Sequence, residues 1–556
     1  MRRSNARKIN PSSNGKVNGV NNRSQKMESV KFQYRSSNRS SHRSPNRSSS
    51  STKSKSKSRI LCYVSSGFVL AFICYMFMFS SFVRFTLKRK YGIVIDGGST
   101  GTRIHVFEYE VRDGVVPVFD FGDKGLVSMR VNPGLSAYAE EPEMVSESLG
   151  KLVEFGKRNV PKEYWSSTEI RLMATAGMRL LDLDVQGKIL EVCRGMLRDS
   201  GFKFKDDWAS VISGSDEGLY AWVIANYALG TLGGDPSQTT GIIELGGASA
   251  QVTFVSNEPM PPEYSRTMKF RNFTYRIYSH SLLQFGQNAA FDLLLESLVA
   301  RGQHQAPQSV KLMDPCSPRG YTHSLRSLKL SPGSFADGTR HLSSLYPSGN
   351  FSECRFASLS LIQKDKESCP YKSCFIGSTF MPKLQGNFLA TENFFHTSKF
   401  FGLAPKAFLS DLMAAGKSFC EEDWLRLKSK YPSLEEDDLH RYCFSSAYIL
   451  ALLHDSLGIA LDDDRIGYAN EVENIPLDWA LGAFILQSTV ELDKEHSGWF
   501  AIMFRLEAIF LHLWIRQKDQ SGSGAASTKN LCTLCCLVPR TKDAILGRGQ
   551  INLWDC

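Results

Sequence analysis

The first 59 residues of this 556-residue chain hold one acidic residue, Glu28, against sixteen lysines and arginines, and almost no apolar side chains. Such a segment cannot bury a core and is read as a disordered basic tail. It also sets the sign of the whole. The net charge is +10, the tail alone carries +15, and the rest of the chain is therefore about −5. Nucleic-acid binding calls for basic residues on a folded surface, so this basicity does not argue for it. The next absence is of charge altogether: residues 60–83, ILCYVSSGFVLAFICYMFMFSSFV, contain no Asp, Glu, Lys or Arg. About twenty such residues span a bilayer, and this run is too long and too far from the N-terminus for a cleaved signal peptide. Sixteen positive residues precede it, and Arg84, Lys88, Arg89 and Lys90 follow. That excess orients a single-pass type II anchor, with the tail cytosolic and the bulk of the chain lumenal or extracellular, in the Golgi, another endomembrane or the cell surface. A P-loop is also missing. AAGKS at 414–418 has Asp411 where the first glycine is needed, inside a stretch patterned as a helix.

With 42% hydrophobic and 22% charged residues, the chain as a whole has the composition of a globular protein. Between the apolar run and residue 500, six of the seven cysteines fall in the second half of the chain. In an oxidising compartment they read as disulfides. Connectivity does not follow from sequence; pairing near neighbours gives Cys316–Cys354, Cys369–Cys374 and Cys420–Cys443. Cys193, in a helical run, is read as a buried free thiol. Asn272-Phe-Thr and Asn350-Phe-Ser are glycan acceptors on this topology, whereas Asn22, Asn38 and Asn46 lie on the cytosolic side. Beyond residue 498, the tail 499–556 holds a candidate second span at 499–515. It is short and contains Arg505 and Glu507, each costly near a bilayer centre.

Residues 93–107, IVIDGGSTGTRIHVF, run from an apolar strand into Asp96, a glycine turn and a second alternating strand. Glycines leave backbone N–H groups unshielded, and such turns form anion nests. Gly97, Gly98, Ser99, Thr100, Gly101, Thr102 and Arg103 make the first candidate phosphate cradle. Asp96 faces the same anion, so a divalent cation, bound directly or through water, is needed between the two negative groups. The layout recurs 148 residues later in GIIELGGASAQVTF, residues 241–254. Here Glu244 leads, and Gly246, Gly247, Ala248, Ser249 and Ala250 form the turn. Two such hairpins on two related lobes can clamp a polyphosphate from both sides, which implies a duplicated α/β fold. Between them lie RLMATAGMRLL, 171–181, with Thr175 and Arg179, and ASVISGSDEGLYAWVIANYALG, 209–230. Asp216 and Glu217 sit at the start of the helix in the latter, where the macrodipole favours acids without any further role.

These stretches, with PLDWALGAF at 476–484, resemble the five signature regions of the apyrases, the nucleoside triphosphate diphosphohydrolases of the actin, heat-shock-protein and sugar-kinase superfamily. The resemblance runs from about Tyr91 to about Gln487. It implies an α/β, two-lobed, actin-like (RNase H-like) fold with a nucleotide cleft between lobes. Lobe I would be 91–213 plus 476–498, and lobe II 214–475. Carried over position by position, it makes Glu217 the base that activates the attacking water. Ser249 and Gln251 position that water, and Thr175 lies near the terminal phosphate. Asp96 and Glu244 hold hydrated Ca2+ or Mg2+, with Trp479 beside its shell. The implied activity is release of inorganic phosphate from nucleoside tri- or diphosphates. Two positions depart from the pattern. Glu244 stands where the family usually has aspartate. Arg103 stands where cell-surface members often differ, either pairing with a phosphate oxygen or pointing to solvent. The alternative reading is a nucleotide-binding ectodomain with little or no catalysis, Glu244 being the disabling change.

Overall fold

The computed structural model describes residues 73–78, 89–112, 116–119, 121, 126–305, 312–323, 345–405 and 408–490. The chain forms two compact units, Met1–Phe77 and Met78–Cys556. Of the first unit, residues 73–77 are helical, with Ile73, Tyr75, Met76 and Phe77 exposed. The basic tail, most of the 60–83 run and the candidate span at 499–515 lie outside the described residues. Among the described residues no helix is long and apolar enough to cross a membrane.

The second unit is built on two six-stranded mixed sheets. The first contains β1 (Lys90–Gly97), β2 (Thr102–Arg112), β3 (Val116–Phe119), β4 (Val127–Val131), β5 (Glu169–Ala174) and β6 (Ala209–Val211). Its order is β3-β2-β1-β5-β6, with β4 also paired to β2. The second contains β7 (Gly241–Leu245), β8 (Ser249–Val255), β9 (Ser265–Phe270), β10 (Phe273–Leu283), β11 (Phe388–Glu392) and β12 (Ile466–Tyr468), in the order β12-β11-β7-β8-β10-β9. This is the doubled α/β architecture expected from the repeated hairpin. The repeat holds in register: Asp96 pairs with Arg103 across β1–β2, and Glu244 with Gln251 across β7–β8, each acid opposite the residue seven positions on.

Helices cover the sheets for ordinary reasons of pattern. α1 (Val145–Asn159) buries Val145, Leu149, Leu152, Val153 and Gly156, one stripe at helical spacing. α2 (Leu183–Arg198) buries Ile189, Leu190, Cys193 and Leu197. Both close the first lobe's core against Ile93, Ile95, Ile104 and Leu172. Burial pushes the Cys193 thiol up to about 12, which leaves it inert, as expected. α3 (Gly214–Ala228) is apolar nearly all round because it lies in the cluster shared by both sheets, with Trp222 packed on Tyr275. Residues 479–490 form a second helix in that cluster, where Phe484 packs on Phe107 and Tyr109 of β2. The two helices cross in close contact. A Cβ built at Gly482 would lie 1.9 Å from the Tyr220 carbonyl oxygen, so only glycine fits there.

The second lobe's core adds α4 (Gln287–Gln305), α5 (Phe351–Ile362), α6 (Leu409–Cys420) and α7 (Arg441–Leu450). The AAGKS run lies inside α6 and is not a phosphate loop. Disulfides join Cys316 to Cys354, Cys369 to Cys374 and Cys420 to Cys443. They are the three near-neighbour pairings, all in this lobe. Asn272 is exposed in the β9–β10 turn, and Asn350 caps α5 through Glu353 N–H.

Candidate active site

In each sheet the parallel strands end together. β1 runs parallel to β5, with Gly97 opposite Ala174, and β5 to β6, with Ala174 opposite Val211. Their ends deliver the Gly98–Gly101 bend, Thr175 and the Ser213 cap of α3 to one edge. In the second lobe β7 runs parallel to β11, with Glu244 opposite Thr391 and Leu245 opposite Glu392. Ligands in open α/β sheets bind outside such carboxyl ends. The two edges face each other across a crevice of about 120 Å3.

The crevice is lined by Asp96, Gly98, Ser99, Thr100, Gly101 and Arg103 from the first hairpin and by Glu244, Gly246, Gly247, Ala248 and Ser249 from the second. A Cβ at Gly247 would stand 3.0 Å from Ser99 Oγ and 3.1 Å from Thr100 Cγ2. The two glycine bends therefore come together as the repeat implies. Their backbones are pinned from behind. Thr175 N–H donates to the Gly97 carbonyl at 3.1 Å, and the amides of Gln287 and Asn288, opening α4, donate to the carbonyls of Gly246 and Gly247, each at 2.9 Å.

The remaining expected residues arrive from both sides. Thr175, Glu217 and Trp479 line the same crevice. Adjacent acids at the start of α3 take different places. Ser213 Oγ donates to half-buried Asp216 at 2.6 Å and accepts its N–H, which is capping. Glu217 turns inward and is buried. Gln251 Nε2 donates to Ser249 Oγ at 2.7 Å. Gly97, Thr102 and Ala250 flank the bends within the strands or at their ends. Arg103 points into the crevice rather than to solvent, 3.6 Å from Asp478 Oδ2. Glu244, despite its extra methylene, reaches the crevice that Asp96 lines.

Four residues outside the expected set complete the site. Arg179 Nη2 donates to Glu217 Oε2 at 2.8 Å and lies 3.4 Å from Ser249 Oγ. Arg130 Nη2 donates to Thr100 Oγ1 at 2.8 Å. Asp478 and Glu392 line the wall. Arg179 and Asp478 sit inside the quoted stretches and were within reach of sequence reasoning. Arg130 and Glu392 lie in stretches without a glycine bend, and only the fold brings them here.

The electrostatics follow from crowding. Burial, reinforced by Asp478, holds the Asp96 carboxyl well above the usual carboxylate range. Burial and the charges of Glu217, Glu392, Asp478 and Asp96 do the same to Glu244. Glu217 is raised by burial while Arg179 pulls the other way. Asp96 Oδ1 and Glu244 Oε2 are buried without a hydrogen-bond partner. Five carboxyl groups thus meet the guanidinium groups of Arg103 and Arg130, with Arg179 behind Glu217. A divalent cation fits this hard-oxygen donor set. Among the described residues no three His, Cys, Asp or Glu side chains are placed to hold an ion together.

Two related lobes, a polar crevice at their facing strand ends and paired glycine bends define a phosphate-handling enzyme of the actin-like class. The fold is shared with a nucleoside triphosphate hydrolase from Neospora caninum, at a TM-score of 0.55 and 17% identity over 77% of this chain and 97% of that one. The GDA1/CD39 (nucleoside phosphatase) family model matches residues 84–496, and the chain belongs to that family. It is 53% identical to "Probable apyrase 6" of Arabidopsis thaliana, over 93% of each chain. It is 30% identical to "Ectonucleoside triphosphate diphosphohydrolase 2" of Mus musculus, over 79% of this chain and 92% of the relative.

Proposed function

We propose that this nucleoside phosphatase releases inorganic phosphate from nucleoside tri- or diphosphates by direct attack of a water activated by Glu217, with no phosphoenzyme. The approach of Gly247 to Ser99 and Thr100 carries the reading. It gives a polyphosphate two sets of backbone donors from opposite sides, and phosphoryl transfer depends chiefly on such positioning and on charge neutralisation. Gln251 orients Ser249 Oγ, and both hold the attacking water in line. Arg179, 2.8 Å from Glu217, opposes the effect of burial on its carboxyl, the group that takes the proton. Thr175 lies at the terminal phosphate. Arg103 and Arg130 face the developing charge. Asp96 and Glu244 would hold hydrated Ca2+ or Mg2+, with Trp479 beside the shell; the ion would supply the positive charge that lets a polyphosphate sit among carboxylates.

Phosphate release from a panel of nucleoside tri- and diphosphates, with Ca2+, Mg2+ or chelator, tests this. Glu217→Gln should lower kcat by about 10²–10⁴ with nucleotide binding retained. Full turnover in that variant rejects Glu217 as the base, and no turnover with any nucleotide in the wild type rejects the activity.

We further propose a type II anchor at 60–83, with residues 89–490 lumenal or extracellular and glycans on Asn272 and Asn350. Glycosidase digestion should shift the apparent mass of the membrane-extracted chain, and the shift should vanish in Asn272→Gln/Asn350→Gln. A chain carrying no glycan would overturn the topology.

A further inference from the structure

We propose that Glu392 is a further carboxylate of the cation's water shell, supplied by the second lobe beside Asp96 and Glu244. This rests on the reading of the crevice as a cation–polyphosphate site. Register places it. Ala174 and Glu392 each lie one residue past the partner of the hairpin acid, Met173 beside Asp96 and Thr391 beside Glu244. The two lobes are equivalent here, and the second puts a carboxylate where the first has a methyl group.

The backbone shows that the placement is imposed. Glu392 has φ 57° and ψ −120°, in the left-handed half of the map. Such conformations strain a non-glycine residue, and glycine would relieve most of that strain. The conformation is held from two sides. Glu392 N–H donates to Asn470 Oδ1 at 2.7 Å, and Asn393 Nδ2 donates to the Leu245 carbonyl at 2.8 Å. These bonds tie the end of β11 to the acid-bearing strand and aim the residue into the crevice, whose lining it joins. Strain maintained at a ligand-facing position is where a functional role is expected.

The neighbours decide which ligand. Glu392 faces the like charge of Asp478 and, more weakly, Arg103 and Arg130. Among the described residues no ion pair joins its carboxylate to either arginine; Arg103 pairs with Asp478 instead. It adds to the charge that bears on Asp96 and on Glu244, whose Oδ1 and Oε2 atoms are buried without partners. Three carboxylates from two lobes around one space, two of them with orphaned oxygens, match a hydrated divalent cation. They do not match a counter-ion for the arginines, which would pair at contact distance.

The test uses the full chain in detergent, with Mn2+ as probe followed by the electron paramagnetic resonance of the free ion. It is run with and without a non-hydrolysable nucleoside diphosphate analogue. Glu392→Gln should weaken Mn2+ binding about tenfold, the lower end of what such outer carboxylates contribute, and Glu392→Asp should recover part of it. Thermal denaturation in chelator should leave Glu392→Gln at least as stable as the wild type, which separates loss of the shell from loss of the fold. Unchanged Mn2+ affinity in Glu392→Gln, with a wild type that binds, overturns this inference alone. A variant that loses analogue binding in chelator but keeps Mn2+ affinity makes Glu392 an arginine partner and also overturns it. A wild type that binds no Mn2+ under either condition removes the cation reading itself, and this inference with it.

Discussion

At the scale of single residues, Glu217 depends on Arg179. Burial alone would hold the Glu217 carboxyl protonated into a higher pH range, and the guanidinium 2.8 Å away opposes that. In Arg179→Met the carboxyl rises further. The acid limb of the kcat/KM profile, which reports the free enzyme's base, should therefore move to higher pH; an unmoved limb would take the base role from Glu217. Asp96 and Glu244 carry a stability consequence of the same kind. Their folded carboxyls are raised, so their contribution to stability is fully present below the unfolded value of about 4 and is lost as pH rises through the raised one. In chelator at neutral pH each acid therefore destabilises the fold. Asp96→Asn should raise Tm under those conditions, by about 2 °C for each kcal/mol relieved, and should lose the stabilisation that Ca2+ gives the wild type. Thermal scans with and without Ca2+ decide it, and a lower Tm for Asp96→Asn in chelator would contradict the argument.

At the scale of elements, glycines mark where two pieces of backbone must touch. Gly247 separates the bends by less than a side chain. Gly247→Ala should hold them apart, lowering kcat/KM at least tenfold while the chain stays folded. Gly482 lies where the 479–490 helix crosses α3, and its missing Cβ would strike backbone rather than a movable side chain. Gly482→Ala should cost about 2–3 kcal/mol or more, because overpacking cannot be relieved there. Gly187, inside α2 with nothing within 4 Å of a built Cβ, is the control. Gly187→Ala should stabilise by about 0.5–1 kcal/mol. Denaturant titrations of the three variants separate close approach from helix propensity.

At the scale of the whole molecule, covalent reinforcement is uneven. Cys316–Cys354 spans 38 positions and Cys420–Cys443 spans 23, both in the second lobe's core. Loop closure assigns these about 4 and 3 kcal/mol by the chain-entropy model. All three disulfides among the described residues lie in the second lobe. Reduction should therefore loosen α5, α6 and α7 before β1, β2, α1 and α2. Amide hydrogen exchange with and without reductant would show it, and uniform loss of protection would refute it.

Most of the fold was legible in one observation, the repetition of an acid, two glycines and alternating strands at Asp96 and Glu244. Local chemistry determined the hairpins: alternation makes strands, glycine permits the bend, and the acid fits nowhere else on an apolar strand. It also determined the amphipathic helices and the helical AAGKS decoy, whereas the disulfide pairing, though it follows near neighbours, was fixed by the fold. It could not separate Asp216 from Glu217, because both satisfy the same preference for acids at a helix start. It could not find Arg130 or Glu392, since neither carries a motif and each reaches the crevice only through register with a distant strand. Whether Arg103 faced solvent or phosphate was likewise left to the pairing of β2 with β1 and β4. Sequence records what each segment can do by itself. Which charges share one crevice depends on long-range pairing, and that was decided only when the two sheets brought their strand ends together.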